Sequence, residues 1–147
     1  MKLMKTKALS WLPAAIALAL LLYLTAQSPL QTMQTSGRIQ RWLIALFEGL
    51  HHVPAWVRDM HTVRSLAHVP EYWILGCCLW IGIRATAARP AMWTFAAGGV
   101  IGLMDETLKA FLPARHFELG DWGLDLLGLL LALGLMLLIR SGRRKRA

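Results

Sequence analysis

Residues 122–140 read WGLDLLGLLLALGLMLLIR, an apolar run broken by a single carboxylate, Asp125. A bilayer core takes roughly 20 mostly apolar helical residues, so this stretch predicts a transmembrane helix. A charge inside such a helix costs about 2.5–3.5 kcal/mol on insertion scales, which marks Asp125 as a residue retained for a purpose. Outward from it, three further stretches approach the same length: 8–26, 70–88 and 91–112. The last two are weaker, because Arg84, Arg89, Asp105 and Glu106 sit near their ends. With 56% hydrophobic residues and a mean hydropathy of +0.48, the chain is too apolar for an ordinary soluble domain. The expected architecture is an all-α integral membrane bundle of about four transmembrane helices. It forms one domain over residues 1–147, with an outer loop at 27–67 and a basic cytoplasmic tail at 141–147.

The charge pattern orients that bundle. The net charge is +8. On a soluble chain this would suggest nucleic acid, but here the basic residues cluster at span ends. Lys2, Lys5 and Lys7 precede the first span, Arg84 and Arg89 flank the turn between the second and third, and Arg140, Arg143, Arg144, Lys145 and Arg146 follow the last. Short cytoplasmic segments are enriched in Lys and Arg. Both termini are therefore expected on the cytoplasmic side of the cytoplasmic membrane, with the basic tail at anionic headgroups. Nucleic acid is not expected as a partner. The apolar run from Ala8 to Leu24 exceeds the 7–15 residues usual for a cleaved signal, so it reads as an uncleaved first span.

The outer loop opens with a polar stretch, 27–37, expected to be irregular. Ile39, Trp42, Leu43, Leu46, Phe47 and Leu50 then recur at helical spacing, opposite Arg38, Gln40, Arg41 and Glu48. This is the pattern of an amphipathic helix lying in the interface or packed on the bundle, in either case a lid over the outer face. His51, His52 and His61 show no metal-ligand spacing. Cys77 and Cys78 are adjacent and read as packing residues. Gly98, Gly99, Gly102, Gly128 and Gly134 are expected to let helix backbones approach closely.

Ionisable residues gather at the ends of three spans, which alternating chain direction brings to one side of the bilayer. His68, Glu71 and Tyr72 share a helix face at the start of the second span. The functional reading makes His68 a base or nucleophile oriented by a carboxylate; the plainer one is an interfacial histidine bonded to a neighbour. Asp105 and Lys109 form an i,i+4 pair closing the third span, with Glu106 turned about 100° away from Asp105. Asp121 is placed to cap the last helix, whereas Asp125 lies one turn deeper. Arg115 offers forked donors to phosphate, or balances Asp121.

The run Arg64-x-x-Ala67-His68-x-x-Glu71-Tyr72-x-x-Leu75-Gly76 resembles the first signature of VanZ-like membrane proteins. Asp105-Glu106-x-x-Lys109-x-Phe111-x-Pro113-x-Arg115, followed by Asp121, Asp125 and Gly128, resembles the second. Three positions depart from the family pattern. Ser65 stands where Lys is usual, Lys109 where Gln is usual, and Ala114 where Gly is usual. Lys109 adds a cation inside the constellation. The resemblance implies a small helical membrane protein of the kind named for resistance to the glycopeptide teicoplanin. It also implies kinship with membrane enzymes that handle lipid headgroups. By matching positions it carries over His68, Glu71, Asp105, Glu106, Arg115, Asp121 and Asp125.

The combined expectation is an outward-facing polar pocket acting on a phospholipid or a polyprenyl-phosphate-linked envelope precursor, as a hydrolase or transferase. Arg115 and Lys109 hold phosphate, with Tyr72 and Arg64 also on the substrate side. His68 acts as base or nucleophile, oriented by Glu71 or Asp125. Asp105, Glu106 and Asp121 position a hydroxyl or hold a divalent cation, though no spacing demands one. The alternative is a non-catalytic binder of lipid-linked precursors or glycopeptide-type amphiphiles. An ion or proton pathway is disfavoured, because the first and last spans lack ionisable residues in their inner halves.

Overall fold

The computed structural model describes residues 7–112 and 115–144, and no strand occurs among them. Lys2, Lys5, Pro113, Ala114, Lys145 and Arg146 lie outside the described residues. The helices are α1 (Leu12–Thr25), α2 (Pro29–Gly49), α3 (Ala55–Arg58), α4 (Met60–Ile83), α5 (Pro90–Lys109) and α6 (Leu119–Arg144). Among the described residues, three helices are long and apolar enough to cross a membrane: Lys7–Thr25, Met60–Ile83 and Leu119–Gly142. At 1.5 Å per residue, α5 reaches about 30 Å, a bilayer core. Its central glycines and the terminal Asp105, Glu106 and Lys109 keep it below the same apolar measure.

Two boundaries differ from expectation. The segment 27–37 is not irregular. α2 begins at Pro29 because Ser28 and Gln31 form a reciprocal capping box, Ser28 Oγ accepting from the Gln31 amide at 3.3 Å and Gln31 Oε1 accepting from the Ser28 amide at 2.9 Å. Pro29 sits at the first helical position, where its missing N–H is harmless. The second span starts ten residues before Pro70, at Met60, because Asp59 caps it there. Its carboxylate accepts from the amides of His61 (3.2 Å) and Thr62 (3.1 Å). Pro70 is consequently inside α4 rather than in its first turn. The helix tolerates it although the Leu66 carbonyl loses its regular amide donor.

The core forms where α4 packs against α6, with α5 and α1 alongside. Tyr72, Leu75, Leu79 and Ile83 from α4 meet Leu129 from α6 and Leu21 and Ala14 from α1. Glycine sets the approach at several points. A Cβ on Gly128 would collide with the backbone carbonyl of Val69 on α4, and one on Gly98 of α5 would lie 2.5 Å from Leu129 Cδ2. Gly134, by contrast, faces open space, so it makes no close approach. Cys77 and Cys78 are free and half-buried. Ile16, Leu20, Leu130 and Leu138 each remain more than half exposed. An apolar surface of this extent fits contact with lipid rather than water.

Candidate functional site

His68 is the hub. It sits on α4, two residues before Pro70, and its ring faces the first turns of α6. Its Nδ1 lies 2.8 Å from Asp125 Oδ1 and its Nε2 3.4 Å from Asp121 Oδ2. Asp121 and Asp125 are four apart, so one helix face presents both to the imidazole. α6 begins at Leu119, which puts Asp121 inside the first turn, and its carboxylate turns to His68 rather than capping the helix. Tyr72, one turn along α4, stacks beside the ring with centroids 6.5 Å apart. Gly102 of α5 closes the far side: a Cβ there would sit 2.9 Å from Asp125 Oδ2.

The end of α5 supplies a second cluster. Lys109 Nζ lies 3.2 Å from His68 Nε2 and 3.5 Å from Asp105 Oδ2, and it donates to Glu106 Oε1. The sequence suggested that Asp105 and Glu106 serve separate directions. Both are instead buried and both reach Lys109, because a long side chain at i+3 and i+4 spans the angle between them. Glu106 Oε2 also accepts the Glu118 amide at 3.1 Å, fixing the entry to α6. Asp105 is held from α1, where Thr25 donates its hydroxyl to Asp105 Oδ1.

A cavity of about 140 Å³ opens beside this cluster. Thr25, His68, Glu71, Asp105, Lys109 and Asp121 form its floor and walls, while Thr32, Thr35, Ser36 and Ile39 of α2 and Arg64, Arg115 and Glu118 also line it. Glu71 therefore reaches the cavity, but Asp125 and not Glu71 holds the His68 ring. Tyr72 is fully buried and does not line the cavity; its hydroxyl has no partner among the described residues. Arg64 faces Glu118 at 3.6 Å, and His61 faces the same carboxylate at 3.5 Å.

Arg115 does not balance Asp121. Its Nη2 donates to the Gln27 carbonyl (3.0 Å) and to Thr32 Oγ1 (2.5 Å), and no carboxylate among the described residues lies within ion-pair distance. Partial burial, then the nearby Arg64 cation, hold its pKa below the ordinary arginine value. It remains a cation all the same, because a guanidinium is not deprotonated in proteins. Arg64 and Arg115 thus stand at one cavity, Arg64 facing Glu118 and Arg115 with no carboxylate within ion-pair distance among the described residues.

The hydrogen-bond pattern gives His68 two proton arrangements. With Nδ1–H donating to Asp125, Nε2 accepts from the Lys109 ammonium. When Nε2 carries a proton, it donates toward Asp121 instead, and the imidazolium is held by a carboxylate at each nitrogen. Asp125 Oδ2 is buried without a hydrogen-bond partner among the described residues. His68, Glu106 and Asp125 also offer ligand atoms within 4.8 Å of one another, a spacing compatible with a metal ion. Thr25, Thr32, Gln27 and Glu118 were not singled out from the sequence. Thr25 alone carried a signal there, as a hydroxyl at the end of an apolar run.

Comparison with curated proteins and with solved structures finds no match. The family model described as VanZ/LLP1 matches residues 10–140, a stretch that includes every helix except the last residues of α6 and all the side chains described above. With its lipid-facing apolar surface and this match over most of its length, the chain belongs to the VanZ/LLP1 family and is a VanZ-like membrane protein.

Proposed function

We propose that this protein acts on a phosphate-linked lipid headgroup, either of a phospholipid or of a polyprenyl-linked envelope precursor, at the outer leaflet of the cytoplasmic membrane. The observation that carries the reading is His68, held between Asp125 and Asp121 in the wall of a cavity whose Arg115 has no carboxylate partner among the described residues. In this reading α1, α4, α5 and α6 all span the bilayer. The clusters at Lys2–Lys7, Arg84–Arg89 and Arg140–Arg146 put both termini inside. The cavity then faces outward. α2 lies in the interface, its exposed Trp42 and Leu46 toward lipid and its Thr32, Thr35, Ser36 and Ile39 over the cavity.

The chemistry follows from the two His68 arrangements. Arg115 holds the phosphate oxygens. An incoming hydroxyl, from water or an alcohol, displaces Lys109 from Nε2 and gives its proton to that nitrogen. Asp125 and Asp121 stabilise the imidazolium so formed. The hydroxyl oxygen bonds to phosphorus, the bond to the departing oxygen breaks, and the proton on Nε2 passes to that oxygen. One observation favours a second reading. The Lys109 N–H already occupies the Nε2 lone pair, as expected if the pocket holds a headgroup without turning it over.

Purified protein in liposomes of defined phospholipids, followed by phosphorus-31 NMR, tests the proposal. Headgroup release or exchange by the wild type and not by His68→Ala is the expected result. Equal turnover by both discards the mechanism. No turnover by either, with lipid retained in native mass spectrometry, replaces the enzyme with the binder.

A further inference from the structure

We propose that the Lys109 ammonium is a resident cation, seated where this cluster would otherwise take a divalent metal ion. The inference goes beyond the reading above and does not depend on turnover. An ammonium has three N–H donors and no acceptor. Here three acceptors surround it: His68 Nε2 at 3.2 Å, Asp105 Oδ2 at 3.5 Å, and Glu106 Oε1. The side chain reaches them from the cavity rim with only 11% of its surface exposed. His68 and Glu106 are also two of the three residues whose ligand atoms cluster within 4.8 Å, the third being Asp125. Imidazole nitrogen with carboxylate oxygen suits Mn²⁺ and similar ions.

Charge and hydrogen bonding support the same assignment. Asp105, Glu106, Asp121 and Asp125 are all buried. Without Lys109, they would surround His68 with no other cation in contact with them among the described residues. Buried carboxylates at that density require protons or a cation. Asp125 Oδ2 is buried with no hydrogen-bond partner among the described residues. The ammonium and a divalent ion compete for His68 and Glu106, which belong to both sets, and the fixed positive charge disfavours the second arrival. The native site is therefore predicted to work without a divalent cation, and replacing one residue converts it to a metal site.

The test titrates Mn²⁺ into detergent-solubilised protein and follows the loss of the free-ion signal by electron paramagnetic resonance. Wild type, Lys109→Gln, Lys109→Met and the double variant Lys109→Gln with Glu106→Gln are compared, with helical circular dichroism and gel filtration reporting folding. Lys109→Gln and Lys109→Met are expected to bind one Mn²⁺ per chain at least about tenfold tighter than wild type, and the double variant to lose about tenfold or more of that affinity. A Lys109 variant that folds only when Mn²⁺ is present supports the proposal equally. One Mn²⁺ bound as tightly by wild type as by the variants overturns it. So do folded variants that bind none, or variants that fail to fold with or without the ion, because the metal must be able to replace the ammonium.

Discussion

Gly128→Ala should separate α4 from α6. Gly128 packs on the backbone of the facing helix: its added Cβ would collide with the Val69 carbonyl and lie 3.0 Å from the Trp73 amide and 3.1 Å from Tyr72 Cβ. None of these is the far end of a flexible side chain, so the helices must part. Such overpacking costs about 1–3 kcal/mol. Gly134 on the same helix has nothing within 4 Å of its Cβ position, so Gly134→Ala meets no clash and gains helix propensity of about 0.5–1 kcal/mol. Both alanines gain that propensity, so the two should differ by the overpacking cost, about 1–3 kcal/mol, roughly 5–150-fold in the folding equilibrium at 1.4 kcal/mol per tenfold. Titration from mild detergent into dodecyl sulfate, followed by helical circular dichroism and the fluorescence of the seven tryptophans, measures both. The consequence extends to the site. Asp125 precedes Gly128 by one turn and His68 precedes Val69, so the wedge also stretches the 2.8 Å contact between them. Equal stability of the two variants, or a more stable Gly128→Ala, would refute the close α4–α6 packing.

Thr25→Val removes the hydroxyl that α1 donates to buried Asp105 and should cost about 1–3 kcal/mol in the same titration; an unchanged midpoint would show that α1 does not tie down the carboxylate. His51 follows α2 with a φ of 59°, a left-handed conformation natural to glycine, so His51→Gly should stabilise by about 1 kcal/mol. Asp59 is exposed and caps α4, and hydrogen bonds from the Thr62 hydroxyl, then the Thr62 amide, hold its carboxyl below the ordinary 3.8. A lowered carboxyl pKa stabilises the fold above its ordinary value, and that stability is lost as pH falls through the lower folded value. The melting difference between wild type and Asp59→Ala should accordingly be full near pH 6 and shrink below pH 3.8; a difference constant with pH would contradict the cap.

The elements that were legible in the sequence are those with a strong period or a strong cost. The apolar runs around Ala8–Thr25 and Trp122–Ile139 announced helices, because a bilayer core demands length and little else. Asp125 stood out because a carboxylate so deep in an apolar run is expensive, and the fold buries it against His68. The early start of α4 was hidden because Met60–Ala67 mixes polar and apolar residues, and its cap, Asp59, precedes no apolar run. The helical character of 29–37 was hidden by polarity, although Ser28-Pro29-Leu30-Gln31 carries the capping-box spacing. Pairings across the chain were the least legible. Lys109 was matched to Asp105 by spacing, whereas the fold also brings it to Glu106 and to His68 from another helix. Arg115 was offered Asp121 as a partner by proximity in sequence, whereas it reaches back to Gln27 and Thr32.

The central claim is that His68, with Asp125 behind it, acts on a lipid headgroup. The most direct test is mass spectrometry of lipid extracts from cells expressing wild type, His68→Ala or Asp125→Asn, with each protein confirmed in the membrane. A lipid species that appears or vanishes with wild type alone, and not with either variant, is the predicted result and names the substrate class. Identical lipid profiles across all three would contradict it.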